Sequence, residues 1–528
     1  MDVLIIASGK SSRLINYTKD YLPKYLLNID NYPALVTIIN YWNKYARRFF
    51  LVINEKYNIL TKFIINNFLG EIKDNIFIFN YNHQDGTAST IDYIYNNNLR
   101  QYNIKNLLIT WCDILPKENL DIDKFRKKEF NKNELYIFTY GNDCRYLLED
   151  NKIIKKQEGN IIGIYYIHNL DYNFKNIEKN KDIVEYFSDF QFINKYKLNN
   201  LLDFGDELKY KSIIKYQNSE NKITCRSFNE IIIKDNTLLK KAINTKGLEV
   251  IKHEMNFYKY INKCENESIN NLFPKITNFY QSAFSMNYLN EYNNLYKFLN
   301  QNNREVNEKV LENIIKKLNI LHNIKKISIP KNQFLYDVKV ETYDKIVNRI
   351  KNIDDILNHF PKFIKVNNIY IDSFDTTIKK IQNYLFNYYD ILDIYDYSII
   401  HGDTNFSNIL IHPKNKDIKF IDPRGYFSNN EIFGLIDYDY AKILYGISGY
   451  DNFNNHHFCI EYLDEKEIRF NIEKINVSDN FINNNFNKLH KVLLVIIWLG
   501  LAEYNKNNIW KCLASYYHGL YLGTLLDF

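Results

Sequence analysis

The segment 399–425, IIHGDTNFSNILIHPKNKDIKFIDPRG, limits the fold more tightly than any other part of the chain. Apolar Ile399-Ile400 leads into His401-Gly402-Asp403, and Asn408 precedes Ile409-Leu410-Ile411. Lys414 to Asp417 then supplies a turn, and Ile418 to Ile421 runs into Asp422. Short apolar runs separated by turn residues in this way predict strand, tight loop, strand, hairpin turn and strand. That layout sets Asp403, Asn408 and Asp422 at strand ends around one cavity. Asn408 and Asp422 bring the oxygen ligands that Mg²⁺ on a nucleoside triphosphate requires. Asp403 is a carboxylate that could orient and deprotonate an alcohol attacking a γ-phosphate.

A chain of 528 residues is too long for a single core, so two or three domains are expected. With 46% hydrophobic and 25% charged residues it reads as soluble and globular. A net charge of +6, with both signs interleaved, leaves no electrostatic footprint for nucleic acid. The six cysteines (Cys112, Cys144, Cys225, Cys264, Cys459, Cys512) are scattered, which speaks for a reducing compartment and against a metal or redox motif. Met1-Asp2 runs straight into an apolar strand, and Leu493 to Leu501 is too short to span a bilayer and reads as a buried helix. The expectation is a cytoplasmic protein acting on small molecules, with no nucleic-acid or membrane partner; its oligomeric state is left open.

The spacing from Asp403 to Asn408 resembles the catalytic loop of protein kinases, with Asp422 where their metal-binding aspartate stands. The wording narrows this further. His401-Gly402-Asp403, Asn408-Ile409-Leu410 and Ile421 to Gly425 together resemble the aminoglycoside phosphotransferase and choline kinase family, above all members encoded with surface-polysaccharide genes. The resemblance implies an ATP- or GTP-dependent kinase for a small alcohol, with Asp403 catalytic and Mg²⁺ on Asn408 and Asp422. Farther along, Tyr438-Asp439-Tyr440-Ala441-Lys442 opens a helix and is similar to a segment of the sugar-linked members. There Asp439 is expected to brace the catalytic loop, and His401 to pack and hydrogen-bond it without doing chemistry.

The chain opens VLIIASGKSSRL, a buried strand followed by a small-residue loop. Backbone amides of Gly9 to Ser12 can face phosphate oxygens, and Arg13 adds a planar donor. Pro23-Lys24 follows. The loop Ser8-Gly9-Lys10-Ser11-Ser12-Arg13 with Pro23-Lys24 resembles the nucleotidyltransferase family that makes nucleotide-sugars and CDP-alcohols. That likeness implies a nucleoside triphosphate (CTP or another), with Arg13 and Lys24 neutralising charge as pyrophosphate leaves. Asp85 to Thr90 resembles the segment touching base and sugar, through Gly86 and Thr87. Asp113, ending the apolar run Leu107 to Cys112, matches the family's metal carboxylate. Its partner is Asp203, in Leu202 to Asp206, with Asp189 in reserve. Gly163 to Tyr166 resembles an acceptor-pocket strand and is read as core.

After a polar stretch, a strand pair turning at Asp235-Asn236 carries Lys240-Lys241 on its return strand. A kinase small lobe needs one lysine here for the α- and β-phosphates. Lys240 fits the strand alternation best, Lys241 competes, and Glu254 on a predicted helix is the candidate partner. Met286 falls in a strand resembling the hinge whose backbone reads the base. The expected architecture is therefore α/β plus α+β. A Rossmann-like, doubly wound nucleotidyltransferase domain spans 1–217, and a bilobal protein-kinase-like domain spans 218–528, with its small lobe at about 222–290 and its large lobe at about 291–528. Consecutive action would phosphorylate a sugar or choline-like alcohol and then nucleotidylate the product for glycan synthesis. Unrelated acceptors, or one active and one degenerate domain, are the alternatives.

Overall fold

Val3 to Ile6 has no exposed face, and such a run forms a strand buried on both sides of a parallel sheet. It lies in β1 (Asp2–Ile6), an interior strand of a seven-stranded sheet with β2 (Arg48–Ile53), β3 (Ile76–Asn80), β4 (Leu107–Trp111), β5 (Glu134–Glu149), β6 (Lys152–His168) and β7 (Phe192–Lys197). The spatial order is β7-β5-β6-β4-β1-β2-β3. β1 is parallel to β2 and β4, and β2 to β3, while β6 runs antiparallel to both β4 and β5. Alternate residues of the central strands (Leu4, Ile6, Phe50, Val52, Leu107, Ile109) share one core cluster with Ile91 and Ile94 of the helix Gly86–Ile94.

The computed structural model describes every residue except 30, 83–85, 122–133, 151, 169–181, 188–189, 191, 220–227, 265 and 527–528. Its contacts separate two units, Met1–Glu220 with Asp355–Phe360, and Asn221–Asp354 with Pro361–Phe528. Sequence alone places everything after 217 in the second domain. Asp355–Phe360 groups with the first unit, where Phe360 packs on Tyr21 and His359 Nε2 lies 2.9 Å from the Tyr21 carbonyl.

The second unit begins with an antiparallel four-stranded sheet, in the order Asn229–Lys234, Thr237–Ala242, Ala283–Asn287, Ile276–Phe279. Asp235 and Asn236, at φ 48° and 58°, make the two-residue left-handed turn that suits a twisted hairpin. The helix Thr245–Lys263 follows, started by the Asn244 side chain accepting the Gly247 amide at 3.0 Å. The remainder is mainly helical, with Arg304–His322, Phe374–Asp390, Ile436–Ile447, Lys488–Tyr504 and Ile509–Thr524 surrounding short strands at Asp396–Ile399, Ile409–Ile411 and Ile418–Phe420. Leu493 to Leu499 lies buried within its helix. Among the described residues no single helix is long and apolar enough to cross a membrane.

Gly163 to Tyr166 is core, and Gly163 shows why. A Cβ on it would stand 1.8 Å from the Trp111 ring, at the end of the strand that leads to Asp113. Gly163→Ala is expected to destabilise the first unit by about 2 kcal/mol through overpacking, read as a lower midpoint of its thermal unfolding transition.

Candidate functional sites

Because β1 and β4 are parallel neighbours with Ile6 opposite Trp111, the chain leaves both strands at the same edge. The loop after β1 and Cys112-Asp113 after β4 thus come together, tied by the Cys112 amide donating to the Ile6 carbonyl at 3.2 Å. The amides of Gly9, Lys10, Ser11 and Ser12 donate to no acceptor among the described residues. Gly9 faces open space, and Ser11 takes the left-handed conformation at φ 58°. Ser8 is half-buried, while Lys10, Ser12 and Arg13 are exposed. Arg13 has no ion-pair partner among the described residues.

The Ser11 hydroxyl points the other way and accepts the Lys24 amide at 3.0 Å, which fixes where Lys24 begins. The Lys24 ammonium pairs with Oδ2 of Asp113. Burial works against that charge, but Asp113 outweighs it and holds Lys24 above the usual lysine range. The other oxygen of Asp113, Oδ1, is buried with no hydrogen-bond partner among the described residues.

The strand Leu201–Asp203 pairs antiparallel with Ile114–Pro116, bringing Asp203 opposite Ile114 and beside Asp113. Gly205 fills the space between: a Cβ there would lie 2.7 Å from Asp113 Oδ2 and 3.3 Å from Asp203 Oδ1. Asp203 also accepts the Gly205 amide at 2.9 Å and the Lys209 ammonium at 2.6 Å. Asp113 and Asp203 are therefore together; Asp189 and Asp85 lie outside the described residues. Gly86, at φ +87°, opens its helix as a backbone that only glycine adopts readily. The Thr87 hydroxyl donates to Asp182 at 3.2 Å and accepts the Ile183 amide at 3.0 Å, at the start of the helix Ile183–Phe187.

In the second unit the return strand turns Lys240 inward and Lys241 outward. Lys240 is 5% exposed, with Nζ 2.8 Å from Glu254 Oε2 and 2.9 Å from Asp422 Oδ1. Burial opposes its charge, but Asp422 and Glu254 together raise its pKa above the lysine norm. Lys241 meets only the surface carboxylate of Glu230, at 3.4 Å. Met286 is buried, and its backbone is in register with Leu238 on one side and Ile276 on the other.

The hairpin Ile409–Ile411 with Ile418–Phe420 sets Asn408 across from Ile421, whose amide donates to the Asn408 carbonyl at 3.0 Å. Asp422 follows at φ 55°, with a side chain 43% exposed. The Asn408 side-chain amide donates to both the backbone carbonyl and Oδ2 of Asp403, each at 3.0 Å. Asp439 holds the loop from behind. It accepts the His401 amide at 2.9 Å and the Gly402 amide at 2.6 Å, while its own carbonyl accepts the Thr404 hydroxyl at 2.7 Å. His401 is fully buried, with Nε2 2.9 Å from the Ile421 carbonyl and Nδ1 accepting the Asp403 amide at 3.3 Å. Burial depresses its pKa, so a neutral, packed ring fits.

Two contributors carry no local sequence signal. Asp451 caps the loop by accepting the Phe406 amide at 3.1 Å and the Ser407 amide at 3.0 Å. Glu341 comes from the stretch 330–397 that sequence leaves unassigned. It accepts Arg424 Nη2 with both oxygens at 2.9 Å and the Ser428 amide at 2.9 Å.

No family model matches the chain, and no curated protein does. Solved structures overlap part of it. HddC of Yersinia pseudotuberculosis is 20% identical over 41% of this chain and 99% of its own, with TM-score 0.33. A putative glucose-1-phosphate thymidylyltransferase from Bacillus anthracis is 14% identical over 42% of this chain and 98% of its own, with TM-score 0.33. The inositol-1-phosphate CTP transferase from T. maritima is 15% identical over 42% and 98%, with TM-score 0.32.

Burial would raise the Glu341 carboxyl, but Arg424 and Lys345 overcome it and hold the pKa at about 2, against an ordinary 4.5. A depressed carboxyl pKa adds stability that is complete above the unfolded value and fades as pH falls through the folded one. The gap corresponds to about 3 kcal/mol. In urea unfolding of the second unit, the advantage of wild type over Glu341→Gln is expected to shrink steadily as pH is lowered below 4.5.

Proposed function

We propose that the chain is a bifunctional enzyme. Its second unit phosphorylates a small alcohol, and its first transfers a nucleotidyl group from a nucleoside triphosphate to a phosphate monoester, releasing pyrophosphate. The observation that carries this reading is found in both units: a lysine ion-paired to an aspartate just beyond a strand, Lys24 with Asp113 and Lys240 with Asp422. A cation already balanced against a carboxylate is ready to exchange that partner for a triphosphate, whose charge the pair would otherwise meet alone.

In the first unit the unpaired amides of Gly9 to Ser12 supply donors for phosphate oxygens, and exposed Arg13 adds a planar one. Asp113 and Asp203 fit Mg²⁺, because the donors are oxygens and Asp113 Oδ1 is an orphaned buried acceptor. In the second unit Asn408 and Asp422 offer oxygens at the hairpin's end, with Lys240 placed for the α- and β-phosphates of ATP or GTP. The described residues hold no cluster of three or more His, Cys, Asp or Glu arranged for a metal. Mg²⁺ on a nucleotide is generally held by one or two protein oxygens, with substrate phosphates completing its shell. Bound Mg²⁺ would neutralise phosphate charge. Asp403 orients the acceptor hydroxyl and takes its proton as the oxygen–phosphorus bond forms and the nucleoside diphosphate leaves.

A sugar or amino alcohol destined for a glycan is the acceptor this reading favours, and a shared product would explain why both activities lie on one chain. The test incubates the full chain with glucose, mannose, myo-inositol, choline, ethanolamine or glycerol and each of the four ribonucleoside triphosphates. Mass spectrometry then scores monophosphates and nucleoside-diphosphate derivatives. Asp403→Asn is expected to lower phosphorylation by roughly a thousandfold and leave nucleotidyl transfer to supplied phosphate esters intact. Asp113→Asn should give the reverse, and loss of both activities in either folded variant would overturn the two-site reading.

A further inference from the structure

Lys442 lies on the helix Ile436–Ile447, three positions after Asp439, so both side chains leave the same face of the helix. Asp439 takes the loop's backbone amides; Lys442 takes its side chain. The Lys442 ammonium sits 2.9 Å from Oδ1 of Asp403, its side chain 14% exposed. Tyr438 and Tyr445 flank it, with ring centroids 5.9 and 5.2 Å from Nζ. Burial opposes the charge, yet Asp403 and Tyr438 keep it above the usual lysine range. Asn408 occupies the other carboxylate oxygen of Asp403, at 3.0 Å. The carboxylate is thus gripped from both sides, by a neutral amide on its own loop and by a cation from a separate helix.

A lysine stem in an aromatic sleeve costs conformational freedom and desolvates a charge. Nothing in helix packing alone needs an ammonium there, since a methionine would fill the same channel. What the charge adds is a fixed direction for Asp403. We propose that Lys442 is a positioning residue for phosphoryl transfer, holding the Asp403 carboxylate in the rotamer that meets the acceptor hydroxyl. The proposal rests on the reading of Asp403 as the proton acceptor, and it assigns the helix a part in turnover that is separate from bracing the loop.

The test is a double-mutant cycle on the full chain with Lys442→Met, Asp403→Asn and the pair. Two reactions are followed: phosphate release from Mg²⁺–ATP with water as acceptor, and phosphorylation of the best alcohol from the panel above. Lys442→Met is expected to lower kcat by roughly a hundredfold with both KM values and the affinity for a non-hydrolysable ATP analogue unchanged. Added to Asp403→Asn it should cost nothing more, because its effect passes through that carboxylate. Lys442→Arg, which keeps the charge and most of the packing, should recover at least a tenth of the wild-type kcat.

A wild-type kcat in Lys442→Met, a further independent loss in the double variant, or weakened nucleotide binding would each overturn the proposal. If Lys442→Met does not fold, Lys442→Gln, which removes the charge and keeps a polar stem, decides: a fall in kcat with unchanged KM values supports it, and an unchanged kcat overturns it. Failure of the underlying reading looks different. Asp403→Asn would then retain wild-type turnover, or the wild-type chain would neither release phosphate nor phosphorylate any alcohol.

Discussion

A lysine withdrawn from water beside carboxylates is the constraint around which both units are arranged. Removing one partner of such a pair strands the other charge, at a cost of about 3–5 kcal/mol. Each pair is therefore a fixed point to which surrounding backbone must conform. Lys240 joins a strand, the helix bearing Glu254 and the segment after the hairpin, three elements far apart in sequence. Lys24 joins the β1 loop, through the Ser11 hydroxyl, to the end of β4. Neither pair brings much net stability. Each specifies which strand end faces which loop.

The second unit surrounds its loop with donors and acceptors drawn from many directions. Asp439 fixes the backbone of His401 and Gly402, Asp451 fixes Phe406 and Ser407, and Asn408 closes back on Asp403. Arg424 passes beside Gly402, where a Cβ would come within 2.8 Å of its own side chain, and ends on Glu341. Loops with polar groups at both ends of every bond lose little order when a substrate arrives. That is the preorganisation an electrostatic transition state requires.

Sequence showed most clearly those features whose cause is local. Period, turn residues and strand-end carboxylates give the hairpin at 409–420, the Asp235-Asn236 turn and the inward face of Lys240, because each depends on neighbours a few residues away. Asp203 is legible through the resemblance of Leu202 to Asp206 to an aspartate-glycine motif, and the structure sets it near Asp113 with Gly205 between them. Glu341 and Asp451 are different. They sit on helical turns whose partners are fixed only when those turns pack, so no spacing reveals them. The contacts of Thr87 are likewise set by the fold, since Asp182 and Ile183, which its hydroxyl meets, lie almost a hundred residues away.

The Ser11 hydroxyl spends its acceptor on the amide of Lys24, not on solvent. Two motifs separated by a short helical segment are thereby welded into one mechanical part, and the first cannot be displaced without dragging the second. Evolution at either place is consequently tethered: exchanging Ser11 for a residue lacking that oxygen would let the ammonium drift from Asp113 even with every charged group retained.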